Sequence, residues 1–248
     1  MSLTVHQFAC LSDNYGFLIR DDATGQVGCI DTPDGDAVLA AADAVGWRID
    51  VIFNTHWHPD HAGGNEAVKA RFGSHIVGPE EVREHYPIDQ VVGHGDVVKL
   101  GETSFTVIDT GGHTLGHVCF HSAEAGKVFV GDTLFPLGCG RIFEGTPQQM
   151  WDSLSRLAAL PGETVVYSAH EYTLGNARFA ESVDSSAALA ERIVQIEAAR
   201  ARGEPTVPTT IADELRTNPF LRAPQLSDKA DPVAAFAEIR AAKDNFKG

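Results

Sequence analysis

The chain has 248 residues, 43% of them hydrophobic and 21% charged, which is the balance of a folded globular protein with room for one large domain and a smaller appendage, and not that of a disordered chain. Nineteen basic against 34 acidic residues leave a formal charge of −15, so long-range electrostatics oppose nucleic acid as a partner while a single basic pocket can still take a small anion. No segment is apolar for long enough to cross a bilayer, and Met1 to Cys10 lack a basic stretch followed by an apolar run, so no membrane partner is expected and the expected compartment is the cytoplasm.

Short β-rich runs open the chain at 3–8, 15–20 (YGFLIR) and 26–31 (QVGCID), each closed by polar or glycine-containing turns, and they predict an antiparallel start. A helical pattern follows at 36–46, then a strand at 50–54 (DVIFN) and a short helix near 64–72. Further strands are predicted near 96–100, 103–109, 117–121, 127–131 and 164–168. Before the last of these, Thr146 and Pro147 form an N-cap and first-turn pair for a helix over 147–160, with Met150, Trp151, Leu154, Leu157 and Ala158 at helical spacing as its core stripe. Strands followed by helices twice over predict two packed sheets with helices outside, a layered α/β architecture.

After about residue 173 the strand patterns stop. Ala, Glu and Arg dominate a helix at 187–202, the Gly203, Pro205 and Pro208 cluster separates it from another near 210–216, and a last helix is predicted at 232–245. The expected division is an α/β body over 1–173 and a small all-helical unit over 174–248, too short to fold alone. Cys10, Cys29, Cys119 and Cys139 are widely spaced, without the close pairs of a zinc ribbon or redox motif, and read as free thiols in or near the core.

Directly after DVIFN comes Thr55-His56-Trp57-His58-Pro59-Asp60-His61, with four potential metal ligands within six residues. In an extended segment His56, His58 and Asp60 point to one side, and His61 sits beside them at the entrance to the next helix, so the four can serve two adjacent metals. Three further candidates echo the pattern, each read as lying at a strand end: His113 in the run from Thr110 to His117, Asp132 after KVFVG, and His170 after TVVYSA. The expected division is His56, His58 and His113 on one ion and Asp60, His61 and His170 on the other, with Asp132 bridging. Two divalent ions with imidazole and carboxylate ligands suit zinc first, with iron and manganese open. His117 reads as a residue that orients its neighbours by hydrogen bonding. Asp31 reads either as an acceptor for a ligand histidine or as a turn or cap residue. His6, His75, His85, His94 and His121 have no ligand spacing, and Cys139 has no spare His–Asp partner to make it a nucleophile.

The His-x-His-x-Asp-His run, together with Gly-His-Thr, Gly-Asp-Thr-Leu-Phe and a late His, resembles the metallo-β-lactamase superfamily over 1–173. Within it, Gly138-Cys-Gly-Arg-Ile-Phe-Glu-Gly-Thr146, His170-Glu-Tyr-Thr173, Thr217-Asn-Pro-Phe-Leu-Arg222 and Arg240-Ala-Ala-Lys243-Asp-Asn-Phe246 resemble the glyoxalase II family, the hydroxyacylglutathione hydrolases. The resemblance implies an αββα sandwich followed by a C-terminal helical domain, and a methylglyoxal-detoxifying reaction in which S-D-lactoylglutathione is hydrolysed to glutathione and D-lactate. It also implies that Arg240 and Lys243, on one helix face, hold the glycine carboxylate of glutathione and that Tyr172 contacts the tripeptide backbone. Arg141 stands where the family commonly has Lys, and Phe143 where many members have Tyr, so one hydroxyl contact to glutathione is missing.

The expected mechanism is attack on the thioester carbonyl by a bridging hydroxide that Asp60 orients and Asp132 helps to hold. The leaving thiol has a pKa near about 8.5, so no strong general acid is required. Rival readings are a mononuclear-iron persulfide dioxygenase of the same fold, a lactam hydrolase, in which a Cys usually stands at the place of Asp132, and a non-enzymatic scaffold. A monomer is expected.

Overall fold

The structure is a computed structural model that describes residues 2–248. The opening runs pair as an antiparallel ladder: β1 (Leu3–Cys10) lies against β2 (Asn14–Asp21), with Leu3 opposite Asp21 and Cys10 opposite Asn14, and β3 (Val27–Ile30) continues it. Helix α1 (Gly35–Val45), whose first turn is capped by the Asp34 side chain accepting from Ala37 N, returns the chain to β4 (Val51–Phe53), parallel to β3. After α2 (Pro59–Ala62) and α3 (Asn65–Phe72), β5 (His75–Gly78), α4 (Glu80–His85) and β6 (Gln90–Val91) complete a six-stranded sheet in sequence order.

The second sheet starts as an antiparallel meander of β7 (Val97–Leu100), β8 (Thr103–Asp109), β9 (Val118–Ser122) and β10 (Lys127–Gly131). A small hairpin, β11 (Leu134–Phe135) with β12 (Gly138–Cys139), precedes α5 (Pro147–Ala158), which crosses to β13 (Val165–Ser168), parallel to β10. Thr146 and Pro147 start α5 as expected, and Gln149 closes a reciprocal capping box with Thr146. The remaining chain forms α6 (Thr173–Val183), α7 (Ala187–Ala201), β14 (Thr209–Thr210), α8 (Ile211–Thr217), α9 (Ala223–Leu226) and α10 (Pro232–Asn245).

Alternation along the strands divides the core into layers. Phe17 and Ile19 of β2 point between the sheets, where Phe53, Phe105, Phe120, Phe129 and Tyr167 meet them, while Leu18 points outward to Val38, Ala42 and Val68 of α1 and α3. On the opposite outer face Val128, Val130 and Val166 pack under Met150, Leu154 and Leu157 of α5 and Phe236 and Ile239 of α10. The result is the αββα sandwich with a helical C-terminal part. Each fully buried large side chain contributes roughly 1.5–3 kcal/mol of transfer free energy, so the inter-sheet aromatic layer is a main source of stability. All four cysteines are free and buried. Among the described residues no helix is long and apolar enough to cross a membrane.

Three departures from the sequence expectations have simple causes. β5, α4 and β6 were not predicted: α4 buries only Val82 among five charged or ionisable residues and has no apolar stripe, and β6 is an exposed two-residue edge. Helix α6 was also missed, since Gly175 and Asn176 interrupt its pattern. The unit after residue 173 is not wholly helical, because Thr209 and Thr210 add β14 to the edge of the second sheet, pairing antiparallel with Val166 and Val165.

The two sheets are also tied by a buried carboxylate. Asp21 accepts from Ala23 N, Thr24 N and Thr24 Oγ1 through one oxygen and from Glu102 N, Thr103 N and Thr103 Oγ1 through the other, at 2.8–3.1 Å. Burial alone would raise its pKa, but these bonds outweigh it and hold the carboxyl well below the ordinary aspartate range. Since the folded value lies below an unfolded value of about 3.9, the contribution is present above that pH and is lost as pH falls through and below it. Asp21→Ala is expected to lower stability by about 3 kcal/mol, read from urea unfolding at neutral pH, and to flatten the loss of stability on acidification below about pH 4.

Candidate metal centre

Loops following β4, β8, β10 and β13 converge at one end of the sandwich and bring all seven predicted ligands together. The extended segment expected after β4 is not found: the chain bends at Thr55 and His56, His58 precedes Pro59, and Asp60 and His61 lie on the single helical turn α2 that Pro59 starts. His113 is four residues past the end of β8, in a loop closed by Gly112 N to Thr114 O and by Thr110 N to His117 O, instead of at the strand end itself. Asp132 follows β10 directly, and Gly131 before it has φ 48°, where an added Cβ would meet Thr55 Oγ1 at 2.6 Å and His117 Nε2 at 2.7 Å.

The inward atoms form two adjoining triads. His58 Nδ1 lies 3.0 Å from His56 Nε2 and 3.1 Å from His113 Nε2. On the other side Asp60 Oδ2 is 3.7 Å from His61 Nε2 and 3.5 Å from His170 Nε2. Asp132 lies between them, with Oδ1 3.4 Å from His61 Nε2 and 3.3 Å from His170 Nε2, and Oδ2 3.4 Å from His113 Nε2.

Outward partners decide which ring atoms carry protons. His113 Nδ1 donates to the Arg141 carbonyl (2.8 Å), His61 Nδ1 to Asp31 (2.8 Å) and His170 Nδ1 to Asp13 (2.8 Å), so each of these rings turns an unprotonated Nε2 inward in its neutral form. Lone pairs facing one another at these distances repel unless a cation lies between them. His61 Nε2 and Asp132 Oδ1 are moreover buried with no hydrogen-bond partner. The donor set therefore fits divalent cations. Burial opposes charge on His61 and His170, yet Asp132 beside them outweighs it and holds both rings above the ordinary histidine value, while burial holds His56 well below it. The field that favours a proton between Asp132 and these two rings favours a metal cation more strongly.

Of the two roles left open for Asp31, the acceptor role is the one observed: at φ 56° it takes Thr55 N, Thr55 Oγ1 and His61 Nδ1. His117 accepts from Asp132 N at 3.1 Å and meets the Thr110 and Thr133 hydroxyls through Nδ1, so it orients Asp132 and faces away from the centre. Asp13 and Asn14 went unrecognised in the sequence. Asn14 Nδ2 donates to Asp60 Oδ2 at 3.1 Å, and neither residue carries a local signal because its partner lies 46 or more positions away.

A cleft of about 480 Å³ runs from this centre to the C-terminal helices, lined by His58, Asp60, His113, Asp132 and His170 at one end and by Arg240 and Lys243 at the other. Arg141, Phe143 and Tyr172 line the same cleft. Tyr172 lies parallel to the His170 ring at 4.7 Å, and Phe143, 60% exposed, sits 5.2 Å from His113 at the rim. Arg240 is 8% exposed and its Nη1 donates to the Cys139 carbonyl, while Lys243 Nζ donates to Gly175 O. Burial and the neighbouring Arg240 hold the Lys243 ammonium below its ordinary pKa, a strain that an anionic ligand between the two would relieve.

An αββα sandwich with a His and Asp centre where its strand-end loops meet defines a metal-dependent hydrolase of the metallo-β-lactamase fold. The family model described as "Metallo-beta-lactamase superfamily" matches residues 30–170, and that described as "Hydroxyacylglutathione hydrolase C-terminus" matches residues 171–246. The chain is 55% identical to a hydroxyacylglutathione hydrolase of Erythrobacter litoralis over 98% of this chain and 100% of that one, and 54% identical to one of Maricaulis maris over 98% and 99%. Among solved structures it is similar to ETHE1 from Myxococcus xanthus, with a TM-score of 0.72 and 29% identity over 98% of this chain and 92% of that one. The chain thus belongs to the hydroxyacylglutathione hydrolase family of the metallo-β-lactamase superfamily, as its motifs implied.

Proposed function

We propose that the chain hydrolyses the thioester of S-D-lactoylglutathione to glutathione and D-lactate, as a cytoplasmic monomer with two zinc ions held by His56, His58 and His113 and by Asp60, His61 and His170, bridged by Asp132. The observation that carries this reading is one cleft lined both by five of the ligand residues, His58, Asp60, His113, Asp132 and His170, and by the buried Arg240 and half-buried Lys243. Residues 1–173 supply the chemistry in this account, and 174–248 grip the thiol half of the substrate. When bound, two such cations supply a water nucleophile that is deprotonated near neutral pH and an electrophile for the thioester carbonyl.

The chain's own residues do the rest. Arg240 and Lys243 take the glycine carboxylate, and Tyr172, held flat against His170, lays the tripeptide along the cleft. Asp60, held by Asn14 Nδ2 at its carboxylate, orients the attacking oxygen. Phe143 and Arg141 at the rim shield the carbonyl from bulk water; Phe143 offers no hydroxyl, so specificity for the tripeptide rests on the basic pair and Tyr172. The thiolate leaves unassisted, because a thiol of pKa about 8.5 is a good leaving group near neutral pH.

Dialysis against a chelator is expected to abolish thioester hydrolysis, and zinc to restore it. The same preparation supplied with glutathione persulfide is expected to consume no oxygen; oxygen uptake without thioester cleavage would move the chain to the oxygenase reading.

A further inference from the structure

We propose that Glu81, on the short helix α4, is a positioning residue for the first cation triad, its carboxylate fixing the loop that carries His113 to the helix that also packs on the loop carrying His56 and His58. The inference rests on the reading that those three histidines together hold one cation.

Thr114, next to His113, donates its hydroxyl to Glu81 Oε1 at 2.6 Å, and Gly116 N donates to Oε2 at 2.5 Å. On the other side of the triad, the His85 ring of the same helix stacks on the indole of Trp57, the residue between His56 and His58, at 4.1 Å and 19°. Helix α4 thus reaches the loops on both sides of the triad, through Glu81 on one and His85 on the other, in addition to the Val118 N to Thr55 O bond at the base of the two loops.

Gly116 is shaped for this arrangement: an added Cβ would meet Glu81 Oε2 at 2.8 Å and its Cδ and Cγ at 3.0 Å. The exposed Glu144 spans the same two loops from the solvent side, accepting from Trp57 Nε1 at 3.1 Å and Leu115 N at 3.0 Å, but water can replace those bonds, whereas the half-buried Glu81 has no substitute. The second triad depends on different partners. Asp60 is held by Asn14, His61 by Asp31 and His170 by Asp13, and none of these touches Glu81. Loss of the Glu81 carboxylate should therefore act on one cation site and leave the other intact, which a general support of the fold would not do.

The test uses the full-length protein stripped of metal, as wild type, Glu81→Ala, Glu81→Gln and Gly116→Ala, titrated with zinc while bound zinc per chain and the imidazole ¹H–¹⁵N signals are followed. In Glu81→Ala and Gly116→Ala the ion that shifts the His58 and His113 signals is expected to bind about ten- to a hundredfold more weakly, with His61 and His170 titrating as in the wild type. Glu81→Gln, whose amide oxygen still accepts one N–H, is expected to fall between. Should Glu81→Ala not fold, the other two variants carry the same comparison. Wild-type affinity at both sites, or equal weakening at both, overturns the proposal. A wild type that takes up fewer than two zinc ions removes the site reading itself, and the proposal with it.

Discussion

Asp132→Ala is expected to lower turnover of the thioester at least about a thousandfold, with the bound metal falling below two ions per chain. Asp132 is the single residue with one oxygen against each triad: Oδ1 lies within 3.4 Å of the His61 and His170 nitrogens and Oδ2 3.4 Å from His113 Nε2. Removing it leaves two half-sites that no longer share a ligand, and a loss of about 4 kcal/mol in transition-state stabilisation corresponds to the stated factor. The backbone need not move, because His117 Nε2 still accepts from the residue 132 amide. Circular dichroism should accordingly remain that of the wild type. KM should change little, since the anion-binding end of the cleft is untouched.

Arg240→Ala is expected to act on the other parameter, raising KM about ten- to a hundredfold while kcat stays within a few-fold, because a charge-assisted contact to a carboxylate is worth roughly 1.5–3 kcal/mol. Arg240 also holds the Cys139 carbonyl at 3.2 Å and Asp244 at 2.7 Å, so truncation loosens the end of the β11–β12 hairpin as well. Arg240→Lys separates these effects, since it keeps a cation in the cleft but not the fork that reaches both partners. Partial recovery of KM in the Lys variant assigns the loss to substrate binding; no recovery assigns it to the hairpin.

What the sequence made legible follows the range of the interactions. Four ligand-type residues between His56 and His61 stand out locally, and the motifs around His113, Asp132 and His170 could be placed on the same rim from the strands that precede them. Helix α10 was read at 232–245 and is found at Pro232–Asn245, where the Asp231 side chain caps its first turn. The groups that aim the ligands were mostly hidden. Asp31 could be suspected at the end of a strand, but Asp13 reaches His170 across 157 positions and Asn14 reaches Asp60 across 46, through the pairing of separate loops. Glu81 lies on a six-residue helix with one buried side chain, too short for periodicity to reveal. Asp60 was read as extended, with His61 at the entrance to the next helix, because alternation explained the spacing of His56, His58 and Asp60; the helical turn that Pro59 starts carries Asp60 as well as His61 to the same centre by another route.

The most direct test is steady-state hydrolysis of S-D-lactoylglutathione by the purified chain, followed by loss of thioester absorbance, with metal content measured on the same sample. Rapid hydrolysis with about two divalent ions per chain, Asp60, His61 and His170 holding one and His56, His58 and His113 the other, is the result predicted. Two ions per chain with no cleavage of this thioester would contradict the assigned substrate, and rapid cleavage by metal-free protein would contradict the mechanism.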